Sequence, residues 1–161
     1  MRSSSFPRVF VVGLCALSTL AALSGCNSTS QTVDAGPMGV PSQPSSIPAD
    51  RLVGKWGVAA YHRDSDRPRT EGEARRQCSN PYNISRGPNG GVMMHLADQA
   101  QPQELVLKGT AGGATYLGPA GRAGIDVDRE IVAISDNSFT VKWVSPDNSS
   151  RYGTMVYIRC S

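Results

Sequence analysis

The chain is 161 residues long, with 16 basic and 13 acidic residues and a formal charge of +3. So small an excess argues against a nucleic-acid partner, which needs a concentrated basic face. The length leaves room for one small core, and beyond the first two dozen residues no segment is apolar enough to cross a bilayer.

Arg2 and Arg8 precede an apolar run from Val9 to Leu23, and Leu23-Ser24-Gly25-Cys26 closes it. The run falls short of the roughly 20 residues a membrane span requires, and Gly13, Cys15 and Ser18 interrupt it. A basic start, a short apolar core and small residues at a cut site read as a secretory signal over 1–25. The Leu-Ser-Gly-Cys run resembles the lipobox of bacterial lipoproteins. That resemblance implies cleavage before Cys26, acylation of its sulfur, and a membrane partner reached through lipid. Two or more acyl chains make such an anchor stable. Asn27 follows in place of the Asp that, in the enteric sorting rule, retains a lipoprotein at the inner membrane. The implied location is the outer membrane, facing the periplasm or the surface. Loss of Arg2 and Arg8 with the signal lowers the charge from +3 to +1.

From Cys26 to Ala49 the chain is rich in Ser, Pro, Gly, Gln and Thr, with little to bury, and reads as a lipidated, disordered tether over 26–49.

Residues 50–161 read as one all-β domain. Period-two alternation marks strands at 52–61, 82–86, 92–96, 104–108, 115–117, 130–134, 139–144 and 152–160. On the first, Leu52, Trp56, Val58 and Ala60 share a face. On the last, Tyr152, Thr154, Val156 and Ile158 share one face and Met155, Tyr157 and Arg159 the other. Asn89-Gly90 and Asp136-Asn137 mark tight turns, and Pro146-Asp147-Asn148 another. Thr70 and Glu73 have capping-box spacing and predict one short helix ending near Cys78. The expected fold is a small antiparallel meander β-barrel of about eight strands, since closure removes exposed edges.

Four cysteines divide by position. Cys15 leaves with the signal and Cys26 takes lipid. Cys78 and Cys160 remain as an even pair in an oxidising compartment, where a disulfide is expected. Zinc is a poor alternative, because the pair lacks CxxC spacing and only His62 and His95 are present to assist.

Gly54-Lys55-Trp56 on the first strand, with Arg159 on the last, resembles the lipocalin and wider calycin fingerprint. The resemblance implies that Trp56 and Arg159 close the barrel floor through a cation–π contact. The Thr-Asp-Tyr motif of true lipocalins is absent, and the domain is shorter than theirs. Small Inh-type metalloprotease inhibitors are closer in size and also carry Gly-x-Trp near their start. Their inhibitory N-terminal segment has no counterpart here.

Catalytic signals are sparse. His95 and Asp98 are three residues apart, but no nucleophile elbow accompanies them, and alternation points His95 to solvent. Asp126, Asp128 and Glu130 share a face without forming a calcium loop and read as solvated acids. No catalytic residue, metal ligand or cofactor is expected. The sequence points to a non-enzymatic envelope lipoprotein, a binding or structural module whose partner is a small apolar ligand, an envelope protein or a cell-wall component. An Inh-like protease inhibitor is the alternative, and a hydrolytic enzyme a third.

Overall fold

Alternating segments of this kind bury one face each, and closing them on one another is the way to bury all of them at once. The computed structural model describes residues 39–161, so the signal, Cys26 and the first part of the tether lie outside the described residues. The strands are β1 (Gln43–Pro44), β2 (Gly54–Tyr61), β3 (Tyr82–Arg86), β4 (Val92–Met94), β5 (Gln103–Gly109), β6 (Thr115–Gly118), β7 (Arg129–Ile134), β8 (Ser138–Trp143) and β9 (Thr154–Arg159). Two α-helices, α1 (Arg67–Arg76) and α2 (Pro146–Tyr152), interrupt them. From β2 to β9 each strand pairs antiparallel with the next, and β9 returns to β2, closing an eight-stranded meander barrel. Leu52, Trp56, Met94, Leu105, Leu117 and Phe139 are fully buried in its core.

β1 is the extra strand. β4 is short and pairs only with Gln103, Glu104 and Leu105, which leaves the far half of the β5 edge open. Gln43 and Pro44 fill that gap by pairing with Gly109 and Lys108. Val40 and Ala123 exchange backbone hydrogen bonds of 2.8 and 2.9 Å, and the Arg122 Nε donates to the Gly39 carbonyl at 2.6 Å. The last part of the expected tether, residues 39–49, is therefore ordered against the barrel wall. Its composition hid this because backbone pairing to an open edge needs no apolar side chains.

The expected helix near Thr70 is α1, continued by a 3-10 turn at Gln77–Ser79. It begins earlier than the capping-box spacing suggested. Thr70 sits inside it, buried, and its hydroxyl donates to the Asp66 carbonyl at 3.0 Å. α1 has a very small apolar face: Ala74 joins Tyr61, Val156 and Ile158 outside the β2–β9 seam. Gly57 makes this approach possible, since a Cβ there would run into the Ala74 carbonyl. A disulfide joins Cys78 to Cys160, with Cα atoms 5.5 Å apart. It fastens the end of this mostly polar helix to the end of β9.

Three local readings change. Pro146-Asp147-Asn148 is the first turn of α2, not a simple turn. Ser145 caps it by accepting from the Asn148 N–H at 3.4 Å, and Gly153 ends it at φ 68°. The last strand accordingly starts at Thr154, and Tyr152 belongs to the helix. Ala60, on the same strand face as Trp56 and Val58, is exposed at the end of β2.

Candidate functional site

The two ends of the barrel differ. At one end Trp56 and Arg159 are direct register partners on β2 and β9. The Arg159 guanidinium lies 4.2 Å from the Trp56 ring centroid. It also donates to the carbonyls of Asp136, Val53 and Arg51 at 3.0, 3.0 and 2.8 Å. The Trp56 indole donates to the Leu52 carbonyl at 2.8 Å. One cation thus ties the approach to β2, the β7–β8 turn and β9 into a sealed floor.

Aromatic rings then fill the lower interior. Trp56 meets the edge of Phe139 at 4.8 Å, and Phe139 stacks on Tyr157 at 4.2 Å. Tyr157 contacts Tyr82 at 6.3 Å, and Tyr82 leans on His95 at 5.7 Å. The column stops there, and the opposite end of the barrel stays open.

That mouth holds a cavity of about 210 Å³, with walls that include Val58, Leu96, Met155, Tyr157 and Trp143. Its charged and imidazole groups are His95, Arg129 and, on the rim, Asp98, and the tyrosines on its lining add their hydroxyls. Arg129 opens β7 directly across from Trp143 on β8, and its guanidinium lies 4.7 Å from the Trp143 ring centroid. Arg129 is 2 % exposed and Trp143 6 %. Arg129 donates through Nη2 to the His95 carbonyl at 2.7 Å. Its Nε, and the indole Nε1 of Trp143, are buried with no hydrogen-bond partner among the described residues. Burial pushes the phenols of Tyr157 and Tyr82 above their usual range, against an opposing pull from Arg129 on both, so both remain protonated donors at neutral pH.

His95 does not face solvent, as alternation suggested. β4 ends at Met94, so the pleat no longer governs His95, which is half-buried against the cavity. The Tyr82 hydroxyl accepts from the His95 backbone N–H at 2.9 Å and lies 3.1 Å from Nδ1. A phenol that donates to Nδ1 leaves the ring proton on Nε2. Asp98 is turned elsewhere. It accepts two bonds from Arg151, at 2.8 and 3.0 Å, and one from the Tyr152 hydroxyl. The His–Asp pair that acid–base work would need is not brought together. Asp98 is also the sole non-glycine residue with positive φ among the described residues, at 58°. The Tyr152 bond, helped by Arg151 and opposed by a little desolvation, holds its carboxyl below the ordinary aspartate range. The result is a clasp from the β4–β5 loop to α2 across the cavity rim.

The acids at 126, 128 and 130 are not one solvated set. Asp128 is fully buried, paired at 2.7 Å with the equally buried Lys108. Lys108 also donates to the carbonyls of Pro119 and Arg122, and the second Asp128 oxygen accepts the N–H groups of Gly124 and Ile125. This knot holds the β6–β7 loop down on the outside of the barrel. The cations between Arg63 and Arg69 pair with Asp66, Glu71 and Glu73 along the exposed helix, and His62 is exposed just after β2. Among the described residues, no group of three His, Cys, Asp or Glu side chains is placed to hold a metal, and no helix is long and apolar enough to cross a membrane.

The chain matches no family model, no curated protein and no solved structure. The site is therefore read from its own chemistry. Sequence reasoning passed over Arg129 and Trp143. The tight hairpin alone would set Arg129 opposite Val144; a register shift between Ile131 and Ala133 brings it across from Trp143, and nothing in the sequence marks that irregularity.

Proposed function

We propose that this chain is a non-enzymatic bacterial envelope lipoprotein, acylated at Cys26 and held at the outer membrane, whose barrel is a binding module for a small apolar ligand. The observation that carries the reading is the cavity in the barrel mouth, apolar in its walls with a few convergent polar groups, as ligand sites are built. The lipobox-like Leu-Ser-Gly-Cys supports the anchor. Between Cys26 and Gly39, the first residue stitched to the wall, the chain reaches at most about 45 Å when fully extended. The barrel would work close to the membrane surface.

A broad protein-docking role draws less support. The large exposed apolar side chains among the described residues are Val40, Val127 and Val132, too few for a wide patch. An Inh-like inhibitor needs a projecting N-terminal segment, and here Val40 pairs with Ala123 and Gln43–Pro44 with β5. The hydrolase reading loses its main support with Asp98 engaged by Arg151.

Two measurements test the proposal. Metabolic labelling with an alkyne fatty acid should mark the wild type and not Cys26→Ser; equal labelling refutes the anchor. Ligand-observed NMR with benzyl alcohol should detect binding that Val58→Phe, which fills the cavity, abolishes. Absence of binding at millimolar probe refutes the binding module.

A further inference from the structure

Among the described residues two cations are buried with no more than a few per cent exposure, and the fold treats them differently. Lys108 has a carboxylate at 2.7 Å and two carbonyls. Arg129 has one carbonyl, and no ion pair among the described residues includes it. A guanidinium cannot shed its proton to escape the cost of burial. A buried charge without a counter-charge is expensive, and the Lys108 knot demonstrates that this chain can supply one.

The orphaned atoms lie together. Arg129 and Trp143 are cross-strand partners, both line the mouth cavity, and each keeps an unpartnered N–H donor, Nε and Nε1. The Tyr157 hydroxyl beside them makes a long 3.9 Å contact to the Met155 sulfur and feels the Arg129 guanidinium. The inner wall thus carries a cation and no carboxylate to answer it. The one acid on the cavity lining, Asp98, is at the rim and already neutralised by Arg151 and Tyr152.

We propose that the cavity ligand is a small carboxylate with an apolar, flat body, its carboxylate pairing with the Arg129 guanidinium beside the Trp143 indole. This rests on the binding-module reading and names its ligand class. A single cation matches a monoanion. A planar guanidinium suits the two oxygens of one carboxyl group, whereas a phosphate dianion needs a fuller shell of donors. Size sets the body. Benzene fills a cavity of about 150 Å³, so 210 Å³ accepts about eight or nine non-hydrogen atoms. That range covers an aromatic acid or a short-chain fatty acid.

The test compares benzoate with benzyl alcohol by titration calorimetry on the full chain. Benzoate should bind at least tenfold tighter in the wild type, and the ratio should collapse toward one in Arg129→Met. If that variant does not fold, Trp143→Phe keeps an aromatic side chain and removes the indole N–H, and should lower the ratio several-fold. Equal affinities in the wild type, or an unchanged ratio in the folded variants, overturn the carboxylate assignment and leave the binding module standing. Failure of both probes to bind overturns both.

Discussion

Replacing Cys160 with Ser removes the bond between the 3-10 turn after α1 and the end of β9. The cysteines are 82 residues apart, so the bridge closes most of the folded chain into one loop. The chain-entropy relation gives about 4.5 kcal/mol for a loop of that size. Native bridges in small secreted domains cost about 2–5 kcal/mol to remove, so the expected loss is about 3–5 kcal/mol. A domain of this size changes its melting temperature by about 4 °C per kcal/mol. Thermal denaturation should therefore move down by roughly 12–20 °C. Because the effect acts mainly on the unfolded chain, urea unfolding of the variant should also show a steeper denaturant dependence, as the freed chain exposes more surface. The loss should be shared by the whole barrel, since β2 and β9 are its closing seam. A fall of less than about 4 °C, or one confined to α1 in hydrogen exchange, would refute this account of the bridge.

Other perturbations test other parts of the structure. Gly57→Ala forces α1 off the seam and should cost about 2–3 kcal/mol, while Gly112→Ala, which meets only ordinary contacts, should stay within about 0.5 kcal/mol; equal effects in urea titrations would discount the close approach at Gly57. Asp128→Asn strands the buried Lys108 charge and should cost about 3–5 kcal/mol by chemical denaturation. Adding Lys108→Met should recover most of it, and a double variant no better than the single one contradicts the pairing argument. For the rim clasp the sign runs with the lowered Asp98 value: its contribution is complete above the unfolded aspartate value of about 3.9 and disappears as pH falls through the lower folded one. The Tyr152 ring resonances should therefore shift only below the ordinary aspartate range, and Arg151→Gln should raise the midpoint; a wild-type midpoint at the ordinary value counts against the clasp.

Much of the barrel was legible because strand alternation and turn chemistry are local. The eight expected strands stand within two residues of their expected limits, and the two-residue turn at Asp136-Asn137 is closed by a Ser135–Ser138 backbone hydrogen bond of 2.7 Å. Helix α2 was missed although Ser145-Pro146 and Gly153 are cap signals, because a seven-residue helix has too few apolar positions to display a period. The site itself was less legible. Arg129 at the head of a strand, like His95 just past the end of another, reads as solvent-facing when its own segment is taken alone.

What the sequence alone determined is the inventory of parts: eight amphipathic strands, a polar helix and an even cysteine pair. These follow from periodicity and residue type, which need no knowledge of distant neighbours. What only the tertiary structure decided is which charges are buried and what answers them. Asp128 meets Lys108 from β5, Asp98 meets Arg151 from 53 residues away, and Arg129 meets no carboxylate among the described residues. The physical reason is that desolvation and compensation of a charge depend on what the closed sheet carries to it, and barrel closure is a property of the whole chain.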